Sequence, residues 1–228
     1  MAEPQSQPQA EFDAYAESYR AMHEKSVAAS GEDVSYFSIY KTQCLQRLGV
    51  GRDQAILDFG CGIGNLTQEL TPHYDVVHGF DPSEKSLEVC KTRAPSAVLH
   101  PSESDIPNAR FDIAVLSGVL HHVPPPDRTD LLHRVGTKLK PGGRVVIFEH
   151  NPLNPMTVHI VRSCEFDDDA VLLWPWEVKS LVRTAGYRDV ALDYIMFFPR
   201  ALAALRSLEP RLRHVAIGAQ TMTVASRV

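Results

Sequence analysis

At 228 residues, with 44% hydrophobic and 22% charged residues, the chain has the composition of a one-domain globular protein able to bury a sizeable core. A net charge of −5 argues against a generic nucleic-acid or anionic-membrane binder, and no apolar run approaches the roughly 18 residues of a membrane span. Cys44, Cys61, Cys90 and Cys164 lie far apart without paired spacing, which excludes a zinc ribbon or dense disulfide framework and suits a reducing cytosol. The opening MAEPQSQPQAEF has neither the basic nor the apolar stretch of a secretion signal, so the expected compartment is cytoplasmic.

Residues 1–10 have almost nothing to bury and read as a disordered tail. Residues 11–29 read as a helix with Phe12, Tyr15, Tyr19 and Met22 on one face, ending near Gly31. A second helix over 34–48 closes at Gly49, so 11–53 forms an N-terminal helical unit ahead of a main domain over 54–228.

From residue 54 apolar strands alternate with helices. QAILDFG, VVHGFD, AVLH, FDIAVLSG, GRVVIFEH and RDVALDYIMFF are separated by helical stretches at NLTQELTP, 83–93, 127–139 and 176–185. That rhythm is the signature of a parallel α/β sheet buried on both faces. QTMTVASR alternates apolar with polar residues and reads as a last, half-exposed strand. Residues 151–175 and the helical excursion 199–214 fall outside the alternation, at positions where α/β proteins carry substrate-specific parts.

The strongest motif is Asp58-Phe59-Gly60-Cys61-Gly62-Ile63-Gly64-Asn65, which follows an apolar strand and opens a helix. Its glycines allow a ligand to lie against bare backbone. The third glycine is Gly64, and Asn65 stands where a dinucleotide fingerprint needs one, so a nicotinamide enzyme is disfavoured. Asp81 ends the next strand, where an acid accepts from ribose hydroxyls. After the strand AVLH comes Glu103-Ser104-Asp105-Ile106-Pro107, where an acid can accept from an exocyclic adenine amine with Ile106 against the ring.

Together with the FDIAVLSGVLHHV strand and LKPGGRVVIFEH, these motifs resemble a class I S-adenosylmethionine-dependent methyltransferase, across residues 12–150 and, by architecture, 176–228. The resemblance implies a Rossmann-like three-layer sandwich. Its seven-stranded sheet is mostly parallel with an antiparallel last strand, and N-terminal lid helices cover it. It implies S-adenosyl-L-methionine as cofactor and S-adenosyl-L-homocysteine as product. The loop Asp58, Gly60, Cys61, Gly62 and Gly64 then receives the methionine portion, and Asp81 with Pro82 the ribose diol. Ser104, Asp105 and Ile106 meet the adenine, and Ser117 with Gly118 walls the sulfonium. Tyr15 and Tyr19 belong to the lid helix, for which simple amphipathic packing is the competing reading.

A sulfonium methyl is already activated, so the protein must mainly align a nucleophile and exclude water. A general base is needed only for a hydroxyl, a cationic amine or a carbon acid. The candidates at strand ends are His121 and His122 after the fourth strand and Glu149 and His150 ending the fifth. Alternation along a strand lets only one of Glu149 and His150 face the pocket. Asp167-Asp168-Asp169 reads as a solvated turn, so no metal is expected, and Cys61 reads as a small side chain rather than a nucleophile. From Lys179 onward eight bases face three acids, and the arginines at 200–213 suit either an acidic substrate or a solvated helix face.

The sequence therefore points to a methyltransferase acting on a small-molecule acceptor, oxygen favoured over nitrogen or carbon. The alternative is a protein that binds the same cofactor for regulation or non-methylating chemistry. The DNA amino-methyltransferase motif Asn/Asp-Pro-Pro-aromatic is replaced by Ser117-Gly118-Val119-Leu120-His121, so no nucleic-acid partner is expected, nor a membrane. A homodimer is compatible with the pattern. The segments 11–48, 151–175 and 199–214 are expected to enclose the acceptor, through residues such as Tyr36, Phe37, Met156, Phe166, Trp174, Asn151, Asn154, His159 and Arg200.

Overall fold

The computed structural model describes residues 31–164 and 170–228. The N-terminal tail, the helix carrying Tyr15 and Tyr19, Phe166 and the acidic run 167–169 lie outside the described residues. The helices are α1 (Val34–Arg47), α2 (Asn65–Leu70), α3 (Glu84–Arg93), α4 (Arg128–Lys138), α5 (Pro155–Arg162), α6 (Pro175–Thr184) and α7 (Glu209–Leu212). The strands are β1 (Ala55–Phe59), β2 (Val76–Phe80), β3 (Val98–His100), β4 (Phe111–Ser117), β5 (Leu139–His150), β6 (Arg188–Ile195) and β7 (Gln220–Ser226). Caps start the helices where sequence chemistry demands: Asp33 accepts from Ser35 N–H at α1, Ser83 from Ser86 N–H at α3, and Asn154 with Pro155 opens α5.

The strands form one sheet in the order β3-β2-β1-β4-β5-β7-β6, with only β7 antiparallel to its neighbours. Alternation sorts the central strands into two cores. Leu57 and Phe59 of β1, Ala114 and Leu116 of β4, and Val145 and Ile147 of β5 meet Leu132 and Val135 of α4 and Val178 and Val182 of α6. Ile56, Ile113, Val115, Val146 and Phe148 face the other way, onto Tyr40 and Leu45 of α1 and Leu66 and Leu70 of α2. The result is three layers, with α1 an integral part of one of them. No helix among the described residues is long and apolar enough to cross a membrane.

Three sequence expectations change. QTMTVASR is not half-exposed: β7 is an interior strand between β5 and β6, and Thr221 and Thr223 are buried. Threonine suits a pleated interior, so a hydroxyl every second residue did not mean a solvent face. The strand read from GRVVIFEH starts earlier, at Leu139: pairing passes from Phe111↔Leu139 to Ile113↔Arg144, so β5 itself loops out through Lys-Pro-Gly-Gly before resuming register. The excursion 199–214 is mostly 3₁₀, Arg200–Leu208, followed by the short α7. It is fastened to α1 by Tyr40 Oη, which donates to Glu209 Oε2 at 2.5 Å, while Glu209 Oε1 accepts the N–H groups of Phe197 and Phe198.

Candidate active site

A cleft of about 860 Å³ opens at the carboxyl ends of the strands, where an open α/β sheet binds ligands. The glycine loop forms its floor. Gly60 and Cys61 N–H groups both donate to Phe80 C=O, tying the loop to β2. Asp81 straightens it from the other side: Oδ2 accepts Gly62 N–H at 2.8 Å and Oδ1 accepts Ser83 N–H at 2.9 Å.

The three loop glycines are needed for different reasons. A Cβ on Gly60 would stand 2.6 Å from a Val119 methyl, and one on Gly64 would stand 2.5 Å from Cys90 Sγ. Those two are packed by the protein itself, and Gly64 is absent from the cleft lining. At Gly62, with φ +50°, a Cβ meets nothing within 4 Å, so bare backbone faces open space. That is the cradle a bound cofactor requires. Asp58 supplies a second sign of fit. Its Oδ2 accepts the Thr67 hydroxyl at 2.7 Å, while its buried Oδ1 has no hydrogen-bond partner, which suits the ammonium of the cofactor's methionine portion. Burial pushes this carboxyl up to about 6 against the lowering pull of Thr67 and Lys41, with Asp81 adding a smaller upward push.

The Cys61 thiol lies against Cys90, and that contact together with burial pushes it well above its ordinary value, which suits a packing side chain rather than a nucleophile.

Of the turn after β3, the cleft is lined by Glu103 and not by Ser104, Asp105 or Ile106. The turn Glu103–Asp105 is 3₁₀, capped by Ser102, and its tight winding leaves Ser104 and Asp105 exposed while Ile106 drops into the core. Glu103 meets Arg134 of α4, whose Nε donates to both carboxylate oxygens at 3.0 and 3.1 Å.

The other wall gathers the candidate bases. Glu149 points into the protein and His150 lines the cleft, as strand alternation requires. Glu149 Oε2 lies 2.6 Å from His121 Nδ1, and Glu149 Oε1 accepts Leu120 N–H at 2.8 Å. Burial pushes the Glu149 carboxyl up, but the charge and hydrogen bond of His121, with His150 and Leu120 N–H, hold it below its usual value. The rings of His122 and His150 stand 4.2 and 5.1 Å from that of His121, and all three histidines line the cleft with Ser117 and Gly118.

The expected acceptor segments contribute unevenly. Tyr36, Phe37, Asn154 and Met156 line the cleft, joined by Met196, Phe197 and Phe198 from the chain just before the 3₁₀ excursion. Trp174, Asn151, His159 and Arg200 do not. Trp174 stacks on Trp176 at the surface, and Asn151 is buried, donating to Gly218 C=O.

Lys41 is the site residue that sequence reasoning missed. Its Nζ reaches into the cleft and donates to Ser117 Oγ at 2.8 Å. The signal was present: position 41 is four residues from both Phe37 and Leu45, so this lysine interrupts the inward stripe of α1.

Comparison with known proteins agrees with this geometry. The family described as "Methyltransferase domain" matches residues 38–205. A ubiquinone biosynthesis O-methyltransferase of Coxiella burnetii is 28% identical over 160 residues, 63% of this chain and 68% of the relative. A trans-aconitate 2-methyltransferase of Mycolicibacterium gilvum is 30% identical over 155 residues, 65% of this chain and 60% of the relative. Among solved structures, a SAM-dependent methyltransferase of Thermotoga maritima, titled a possible histamine N-methyltransferase, superposes with TM-score 0.70 at 17% identity, covering 96% of this chain and 99% of the other. With the family model spanning most of the described chain, the chain belongs to the methyltransferase-domain family and is an S-adenosylmethionine-dependent methyltransferase of class I fold.

Proposed function

We propose that the chain methylates an oxygen atom of a small organic acceptor. The observation that carries this reading is the buried His121–Glu149 pair at the ends of β4 and β5, in the same cleft as the glycine loop. A bound S-adenosylmethionine supplies a methyl already activated on sulfur. Asp58 Oδ1 would receive its ammonium, the Gly62 backbone would lie under its methionine portion, and Asp81, at the cleft end of β2, would accept from the ribose hydroxyls. Pro82 and Glu103 bound the nucleoside end, and Ser117 with Gly118 bounds the reacting end.

The acceptor enters from the other side, between His122, His150 and the apolar wall of Phe37, Met156 and Phe198. That wall excludes water, and the histidine cluster takes a proton when the acceptor is a neutral hydroxyl. Glu149 holds His121 through Nδ1, orienting the ring. The C. burnetii relative is named an O-methyltransferase, which supports oxygen as the accepting atom. A cleft of this size and its mixed lining favour a small molecule over a macromolecule.

The test is turnover to S-adenosylhomocysteine on probes of both kinds, a catechol and trans-aconitate for oxygen and histamine for nitrogen. Methylation of an oxygen probe is the expected result. Turnover of histamine alone would overturn the assignment of oxygen.

A further inference from the structure

Because β7 runs antiparallel to both its neighbours, its first residue rather than its last stands at the cleft. That residue is Gln220, opposite His150 of β5 on one side and Ile195 of β6 on the other. The two ladders fix its backbone, and strand alternation puts its side chain on the face of Met222 and Val224, which pack against the apolar core. Gln220 breaks that apolar row. Its Oε1 is buried without a hydrogen-bond partner, although the side chain lines the cleft. An amide in this place costs desolvation that a leucine or methionine would not, and the large majority of buried polar atoms are paired. An orphaned oxygen in a cavity wall marks where a ligand completes the bond.

Sheet order says which end of the cleft this is. The groups assigned above to the cofactor stand at the ends of β1 and β2 and after β3, and Ser117 with Gly118 bounds the reacting end after β4. The edge continues to His150 on β5 and then to Gln220 on β7. β7 is the third strand along from β1, about 14 Å away at ordinary strand spacing, and β4 and β5 lie between. Gln220 thus borders the cleft beyond the reacting centre, on the side where the acceptor enters in the reading above. Directly opposed residues of an antiparallel pair have Cβ atoms about 5 Å apart, so the His150 ring and the Gln220 amide can meet one small molecule together.

We propose that Gln220 is a specificity-determining residue of the acceptor end, its amide oxygen accepting from an uncharged hydroxyl or amide N–H that the acceptor carries next to the oxygen being methylated. The proposal rests on the oxygen-methylation reading above and names its substrate class: acceptors with a second, neutral hydrogen-bond donor adjacent to the reacting hydroxyl. The terminal torsion of glutamine is broad, so the oxygen turns into the cavity without any movement of β7. A methyl ether in the same place has no donor and leaves the oxygen as unpaired as it is in the free chain. A site built to pair a donor rejects the analogue that lacks it, so one side chain is enough to make the choice.

The experiment uses the full chain labelled with ¹⁵N in its glutamine side chains, saturated with S-adenosylhomocysteine and titrated with catechol or its monomethyl ether, 2-methoxyphenol. The two probes share a ring and one hydroxyl and differ in the second donor. The Gln220 amide resonance is assigned by its disappearance in Gln220→Leu. Catechol is expected to shift that resonance and to bind about tenfold or more tighter than the ether, which leaves the resonance near its free position. Gln220→Leu is expected to bring catechol down to the affinity of the ether, and Gln220→Glu, which keeps an acceptor oxygen, to retain part of the preference. Both variants are expected to bind S-adenosylhomocysteine within about twofold of wild type. Equal affinity for the two probes, binding of neither included, overturns the assignment of Gln220 and leaves methyl transfer standing, as does a preference that survives in Gln220→Leu. A loss of about tenfold in S-adenosylhomocysteine affinity in Gln220→Leu, at an unchanged melting temperature, also overturns it, because the amide then serves the cofactor. Failure of the wild-type chain to bind S-adenosylhomocysteine overturns the methyl-transfer reading together with the role of Gln220.

Discussion

His121 Nδ1 and Glu149 Oε2 stand 2.6 Å apart at the ends of adjacent strands, and neither side chain is more than 2% exposed. The second carboxylate oxygen is fixed by Leu120 N–H, so Glu149 has one orientation and His121 must offer it Nδ1–H. Glu149→Gln keeps the shape and an acceptor for Leu120 but removes the charge. A loss of roughly 1–3 kcal/mol in chemical denaturation is expected, with S-adenosylhomocysteine affinity close to wild type. His121→Asn should lower kcat on a hydroxyl acceptor with cofactor affinity retained. Unchanged stability in the glutamate variant would show that the pair does not hold this corner together.

Cofactor affinity and fold stability should respond to acid in opposite directions through Asp58. Burial raises its carboxyl from 3.8 to about 6, so the protein folds most easily with this group protonated. Its contribution to stability is fully present below the model-peptide value and is lost as pH rises through about 6. Binding the cofactor's ammonium needs the ionised form, so calorimetry with S-adenosylhomocysteine should show affinity falling below pH 6, approaching tenfold per pH unit. Thr67→Val removes the hydrogen bond that favours the charged form and should move that fall to higher pH. A flat profile between pH 5 and 8 would remove Asp58 from the cofactor site.

Two glycines of one loop should fail in different ways. Gly64→Ala drives a methyl to 2.5 Å from Cys90 Sγ and 3.1 Å from its Cα, in a left-handed backbone conformation, and should lower the melting temperature sharply. Gly62→Ala meets no neighbour and should fold with a strain of about 1 kcal/mol, yet lose S-adenosylhomocysteine affinity because the methyl occupies the ligand's side of the loop. Wild-type affinity in the Gly62 variant would place the ligand elsewhere.

The parallel core was legible because strands buried on both faces are continuous apolar runs, as AILDF and FDIAVLS are. The loop from Asp58 to Asn65 was legible because its chemistry is local. What escaped depended on partners distant in sequence. Thr221 and Thr223 look half-polar until pairing with β5 on one edge and β6 on the other makes β7 an interior strand. Lys41 stands on the inward stripe of α1 between Phe37 and Leu45, but its reach into the cleft shows only through Ser117, 76 residues away. That Glu103 rather than Asp105 lines the cleft follows from a 3₁₀ turn that rotates consecutive side chains differently from a strand or an α-helix, and no spacing rule in the sequence distinguishes them.

The placement of β7 between β5 and β6 also sets an order of events. Among the described residues β6 pairs with β7 alone, yet it is synthesised some thirty residues before that strand, which joins it to the sheet. Until residues 220–226 leave the ribosome, β5 presents a long open edge and β6 has no template. The nascent chain at that stage carries the glycine loop, Asp81 and the histidine cluster, but the cleft wall at 196–198 is still unanchored. Assembly of the half that carries the glycine loop can run with translation, whereas the half that carries Met196, Phe197 and Phe198 waits for β7 to slide between two strands that came before it.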